Sequence, residues 1–320
     1  MALTDKAPRA RMVAMRPRLP SGVWTHMRTN VSLYLILLPG LLYYAVFHYI
    51  PMYGITIAFK EYDVFGGING SEWIGLQHFR ELFASEAFGV VLRNSMLISL
   101  YKIAFNFPVP IVLAVLLNEV RKMAFKRTIQ TIVYMPYFLS WVVIAGLVIN
   151  FLSPSSGVVN MLLKSAGFET INFLADKAYF RSIIVLSDLW HGMGWNTIIF
   201  LAALTGVDPQ LYEAAKMDGA GRLRQMFHIT LPGIRSTIVV LLLMKIGHMM
   251  DNGFEQMFLL SNPLVYEVGD VFETYVYRMG LIEARYDYST AVGLFKSCVG
   301  LVLLLLANTM ARRFGERGIF

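Results

Sequence analysis

Apolar residues are gathered into long blocks divided by charged stretches. The blocks run from Ser32 to Tyr53, Asn94 to Leu117, Thr128 to Leu152, Ser182 to Gly206, Ile234 to Phe254 and Ser289 to Ala311. Each approaches or exceeds the roughly 20 residues that a helix needs to cross the hydrocarbon core of a bilayer. The pattern predicts an all-α membrane protein with six transmembrane helices. Pro39, Pro108, Pro110 and Pro136 lie inside or near the ends of these blocks. They predict kinks rather than breaks, because neighbouring helices can satisfy the backbone groups a proline frees. Between the blocks, segments 54–93 and 255–288 are far longer than the usual connection of about 4 to 6 residues, which predicts folded structure on one face of the membrane.

Composition agrees with lipid as the main solvent. Hydrophobic residues make up 56% of the 320 and charged residues 15%, against roughly 25% charged in an ordinary globular domain. Mean hydropathy is +0.55. These values exclude an ordinary soluble enzyme. The net charge of +7 is better read as a topology signal than as a nucleic-acid surface, because the basic residues flank apolar blocks. Cys298 is the one cysteine, so an intrachain disulfide or a cysteine-rich metal site is excluded.

Charge asymmetry orients the spans. Segments 1–31, 118–127, 207–233 and 312–320, with Arg235, hold 17 basic residues, whereas 54–93, 153–181 and 255–288 hold 8. Cytoplasmic loops carry the Lys and Arg excess. Both termini are therefore expected inside, with 1–31 a cytoplasmic N-terminal segment, 32–311 the membrane domain and 312–320 a cytoplasmic tail. Segment 1–31 has no apolar core before Val31 and does not read as a cleaved signal. The external segment 255–288 is acidic, with Glu255, Glu267, Asp270, Glu273, Glu283 and Asp287 against Arg278 and Arg285. It reads either as a solvated loop or as a docking surface for an external partner.

The cytoplasmic loop 207–233 is too polar to span and too patterned to be slack. Asp208 can cap a helix whose first residue is Pro209, where a missing N–H costs nothing, and Asp218-Gly219 is a turn signal that ends it. A second short helix, roughly Gly221 to Ile229, places Leu223, Met226 and Phe227 near one face. Small Ala214 and Ala215 permit close approach of another backbone, and Glu213 offers a charge, which suits helix-in-groove recognition.

The order Glu213-Ala214-Ala215, three residues, Gly219, nine residues, Ile229-Thr230-Leu231-Pro232 resembles, without departure, the EAA loop of the permease subunits of ABC importers. Tyr134-Met135-Pro136-Tyr137, Ile199 to Leu204, Gly269-Asp270-Val271 and Thr290 to Ser297 are similar to the sugar permeases, in the branch importing oligosaccharides from plant and algal polysaccharides. This resemblance implies the fold of a type I ABC importer permease in the bacterial cytoplasmic (inner) membrane. It further implies a heterodimer with a second, related permease, two ATP-binding subunits, an external solute-binding protein and an oligosaccharide substrate, with anionic uronate- or alginate-type sugars among those expected. Glu213, Ala214, Ala215, Asp218 and Gly219 would dock on the ATPase. The chain has no G-x-x-x-x-G-K-[ST] phosphate loop, so no cofactor is expected on it, and ATP with its Mg would belong to the partner ATPase. Enzymatic activity of its own is not expected. An ion-coupled secondary transporter subunit is the alternative, and it leaves the loop unexplained.

Ionisable residues inside membrane helices are costly and mark candidate sites. Asp188, His191 and Trp195 recur on one helical face, with Gly192 and Gly194 thinning the helix beside them. Lys245, His248, Asn252 and Glu255 form a second stripe, and Lys102 and Asn106 are one turn apart. With Asn196 these could line a wet pathway satisfying sugar hydroxyls, while Tyr137, Trp141, Trp190 or Trp195 could stack on a sugar ring. Structural readings compete, since polar residues also hold membrane helices together. No metal-ligand set or catalytic constellation is present in these stripes.

Overall fold

The computed structural model describes Arg28 and residues 30–313. Most of the expected cytoplasmic segment 1–31 and of the tail 312–320 therefore lies outside the described residues. The chain divides into two compact units after Gly54.

The first unit holds most of α1, which spans Val31–Phe59. Its apolar residues cover every face, none of Val31–Met52 is buried, and Pro39 is carried without a break. A helix apolar all round belongs in lipid or against another apolar surface.

The second unit begins with a two-stranded antiparallel hairpin, β1 (Lys60–Glu61) and β2 (Glu72–Trp73), the one departure from an all-helical chain among the described residues. There follow α2 (Gln77–Ala84), α3 (Glu86–Glu119), α4 (Met123–Phe138), α5 (Trp141–Leu152), α6 (Val158–Ser165) and α7 (Lys177–Leu204). Then come α8 (Pro209–Met217), α9 (Arg222–Gly233), α10 (Arg235–Gly247), α11 (Phe254–Leu260), α12 (Phe272–Tyr277) and α13 (Tyr286–Arg313).

By length and apolarity α1, α3 and α13 can each cross a membrane, and the bent pairs α4–α5 and α9–α10 raise the number to five if each is one span. The expected fourth span, α7, has 28 residues, as many as α13. Its middle, from Asp188 to Asn196, is too polar to be counted with them.

Three apolar clusters are stacked along the second unit. One gathers Leu82, Phe88, Val91, Met250, Phe272, Tyr275, Tyr288 and Val292 from α2, α3, α12, α13 and the chain after α10. Another joins α3, α5, α7 and α11 through Ile98, Ala145, Phe180, Ile184 and Met257. A third, near α8 and α9, contains Ala114, Phe200, Leu204, Val207 and Ile234. Gly194 brings α7 against α4 so closely that an added Cβ would collide with the Val133 carbonyl oxygen. The expected thinning is thus needed at Gly194; at Gly192 a Cβ would meet only Asn196 Nδ2, at 3.5 Å.

Two expectations about the spans are corrected. Around Pro136 the chain breaks instead of kinking, and α4 and α5 are turned by 102°. Leu139 is extended, with ψ 140°, and Ser140 restarts the helix, its hydroxyl facing Val143 N at 3.5 Å. The span expected from Ile234 to Phe254 ends as a helix at Gly247, and Gly253, with φ +83°, turns the chain into α11. Lys245, His248, Asn252 and Glu255 accordingly do not form one helical stripe.

The segment from α11 to the start of α13 is folded down on the helix ends. Asn94 donates to the carbonyls of Tyr266, Glu267 and Asp270. Of its six acids, Glu267 pairs with Lys177, Asp270 with Arg278, Glu273 with Lys296, and Asp287 with His78 and the Tyr62 N–H. Burial pushes the Glu273 carboxyl above its usual range despite Lys296, whereas Lys177 holds exposed Glu267 below it. The segment is therefore folded rather than slack, and Glu255, Glu267 and Glu283 stay exposed on it.

Candidate functional site

Where α3, α7 and α10 converge, a polar layer lies between two of the apolar clusters. At its centre Lys102 of α3 donates to Gln256 Oε1 at 2.7 Å, to the Asn252 carbonyl at 2.9 Å and to Asp188 Oδ1 of α7 at 3.3 Å. Asn106 donates to the other Asp188 oxygen at 2.6 Å and to the Val185 carbonyl at 3.2 Å. Asn252 is held from both ends, its Oδ1 accepting from Ser99 and its Nδ2 donating to the Ser95 carbonyl. Gln256 continues the network to the Ile184 carbonyl and the Ser187 hydroxyl. A lysine and an aspartate in lipid are tolerable because each is paired and hydrogen-bonded. The same bonds fasten α3, α7 and the chain after α10 together. Sequence periodicity gave no hint of Gln256, Ser99 or Ser187; the only signal was a polar residue inside an apolar run, as in Phe254-Glu255-Gln256-Met257-Phe258.

Two adjoining cavities open on this layer and share Lys245 and His248. One, of about 280 Å³, is lined by Asn106, Pro110, Asn196, Phe200, Lys245 and His248, among others. The other, of about 240 Å³, adds Lys102, Asp188, Asp251 and Asn252. In the first, Lys245 is the one residue carrying a full charge. Lys245 and His248 are exposed, and no hydrogen bond or ion pair engages the Lys245 ammonium among the described residues. His248 Nδ1 donates to the Met244 carbonyl at 2.9 Å, which leaves Nε2 free toward the groove. Asn106 Oδ1 is buried without a partner, so this amide keeps one acceptor unused at the cavity wall.

His191 and Trp195 serve the break between α4 and α5. His191 Nε2 donates to the Leu139 carbonyl at 3.3 Å, satisfying a group that the break frees. Trp141 packs on the His191 ring at 4.5 Å, and Tyr137 stacks on Trp195 at 4.7 Å and 4°. Trp190 does not line the groove; it faces Leu147, Phe151 and Leu152 of α5 across an apolar recess.

At the other end of α7, α8 begins where Asp208 accepts from Gln210 N at 2.9 Å. It ends in a paired closure: Ala220 N donates to the Ala215 carbonyl at 2.8 Å and Gly219 N to the Lys216 carbonyl at 3.0 Å. This closure requires a left-handed residue, and Gly219 has φ +76°. Glu213, Ala214, Met217 and Asp218 stand exposed on α8, with Met217 89% accessible. Tyr212 turns the other way, into the cluster of Phe200 and Leu204, and its hydroxyl meets Thr230 Oγ1 at 3.0 Å. The second helix runs on to Gly233, past the expected Ile229, through a π turn over Met226–Thr230.

Residues 106–317 match the family described as binding-protein-dependent transport system inner membrane component. The polygalacturonan/rhamnogalacturonan transport system permease protein of Bacillus subtilis (strain 168) is 53% identical over 288 residues, 90% of each chain. A chain of a bacterial ABC transporter involved in the import of the acidic polysaccharide alginate superposes with a TM-score of 0.85 at 43% identity, covering 91% of this chain and 98% of that one. A second structure, of a bacterial alginate ABC transporter in complex with an alginate pentasaccharide-bound periplasmic protein, gives 0.86 at 42%, covering 93% and 99%.

Proposed function

The chain belongs to the binding-protein-dependent transport system inner membrane components, as a multi-pass permease of an ATP-driven oligosaccharide importer without ATPase activity of its own, and on that premise we propose that its cargo is an acidic, uronate-containing oligosaccharide. Family membership removes the ion-coupled secondary carrier. The observation that carries the cargo reading is Lys245, whose ammonium no ion pair engages among the described residues, beside Asn196, His248 and the unused Asn106 oxygen. An ammonium lining a groove seeks a carboxylate, and the amides and imidazole suit sugar hydroxyls. The relatives are named for transport of polygalacturonan and rhamnogalacturonan and for import of alginate, and the first and last are polyuronates.

In this reading six spans place both termini in the cytoplasm, with α7 as the fourth. Lys102, Asp188 and Asn252 hold the groove wall, while Asn106, Asn196, Lys245 and His248 meet the cargo. An external binding protein delivers the oligosaccharide, and a second, related permease closes the groove. Glu213, Ala214, Ala215, Asp218 and Gly219 form the contact with one of two ATP-binding subunits, which hold ATP and Mg. Closure of those subunits drives α8, and the groove alternates between the two sides of the membrane. The test is ATP-driven uptake by the complete importer in proteoliposomes, comparing labelled oligogalacturonates with neutral oligosaccharides of equal length. Preference for the acidic series is expected; preference for the neutral series would overturn the reading.

A further inference from the structure

A larger cavity, of about 610 Å³, lies between α3 and α7 and takes no part in the groove just described. Its walls are Tyr101, Phe105 and Val109, successive turns of α3, and Val185, Leu186 and Leu189 of α7. Phe105 and Leu186 are 59% and 62% exposed, so the trough opens outward. Lys177 and Arg181 stand at its head, where α7 leaves the folded segment beyond the membrane.

The charge at the head is unbalanced. Arg181 donates through Nε to the Val268 carbonyl at 3.1 Å and through Nη2 to Asn94 Oδ1 at 2.9 Å, both uncharged acceptors. Arg93 donates to the Glu267 carbonyl at 2.9 Å, and Lys177 pairs with the Glu267 carboxylate. Three cations thus face two carboxylates, Glu267 and Asp176, and the second is engaged in capping α7 through the Ala178 N–H. A positive excess at a membrane boundary above an apolar trough is the arrangement that attracts an anionic headgroup, and guanidinium geometry matches phosphate. From Arg181 to Leu189 the helix descends about 12 Å, close to the roughly 15 Å hydrocarbon depth of one leaflet.

We propose that this trough binds an anionic phospholipid, its phosphate against Arg181 and Lys177 and one acyl chain along Phe105, Val109, Val185 and Leu189. The site is separate from the cargo groove, so it stands or falls independently of the cargo reading. The probe is Phe105→Trp in the complete importer, reconstituted in nanodiscs containing brominated phosphatidylglycerol or brominated phosphatidylcholine, with the unsubstituted importer as the blank. Quenching by phosphatidylglycerol is expected at about a tenfold lower mole fraction. Adding Arg181→Gln should erase the preference, Arg181→Lys should keep most of it, and Ala178→Phe, at a small residue that also lines the trough, should abolish the quenching while leaving both cations. Equal quenching by the two lipids, or a preference untouched by Arg181→Gln and Ala178→Phe alike, would overturn the proposal. So would a tryptophan shielded from both lipids, because the trough would then be covered by protein.

Discussion

Lys102 and Asp188 meet at 3.3 Å across the α3–α7 boundary, yet they stand 86 positions apart in the chain. Each is the other's reason for being tolerated in lipid. The lysine is the more enclosed partner, its side chain 9% exposed against 26% for the aspartate.

Removing one partner should cost more than removing both. Asp188→Asn or Lys102→Met alone is expected to destabilise the purified importer by about 3 kcal/mol, because a buried charge is left uncompensated. The double variant Lys102→Met/Asp188→Asn should recover much of that loss. Thermal unfolding of the four proteins in detergent reads the coupling, and additive effects would show that the pair is not a unit.

Lys245 should behave in the opposite way. Its ammonium holds no other element, so Lys245→Met is expected to leave assembly and unfolding temperature unchanged. The KM for oligogalacturonate uptake should rise at least tenfold, as loss of one charge-assisted contact of about 1.5 to 3 kcal/mol requires. An unchanged KM would remove Lys245 from the cargo site.

The exposed face of α8 predicts a separation of hydrolysis from transport. Glu213→Lys should let the partner ATPase turn over while uptake falls by an order of magnitude or more. Gly219→Val should weaken uptake through geometry instead, since a left-handed residue with a Cβ costs about 1 to 2 kcal/mol and opens the closure at Ala215 and Lys216. ATPase rate and uptake measured on the same vesicles distinguish these from plain loss of assembly.

Gly194 admits no side chain. Gly194→Leu drives carbon atoms into the Val133 carbonyl and the Tyr134 backbone, so the importer should fail to assemble, and Gly194→Ala should already lower its unfolding temperature. Size-exclusion profiles of the two variants check this, with Gly192→Ala as the tolerated control.

Hydrophobic blocks located the helices well where a helix is apolar throughout: α13 starts three residues before the expected Ser289. They failed where one end is amphipathic. The first turns of α3, from Glu86, bury Phe88 and Val91 yet expose polar neighbours, so the hydrophobic block opens only at Asn94. The break after Pro136 was illegible because the Leu139 carbonyl it frees is met by His191, 52 residues away in the chain. Lys102 and Lys245 look alike in sequence, each a lone cation in an apolar run. Only tertiary structure separates the one spent on Asp188 from the one left open. The turn at Gly219 was the reverse case, since its closure is local and its residue type follows from backbone conformation alone.

The hydroxyl bond between Tyr212 and Thr230 removes the play from a linkage. Without it, α8 could swivel on Gly219 and absorb a push from below as idle travel. With it, and with the Tyr212 ring seated against Phe200 and Leu204, α8 is pinned to α9, whose chain passes through a 59° bend into α10, the helix that carries Lys245. Phenylalanine at position 212 would keep the seat and lose the pin, about 1 kcal/mol of attachment. Its signature would be backlash: unchanged hydrolysis with fewer sugars moved per ATP.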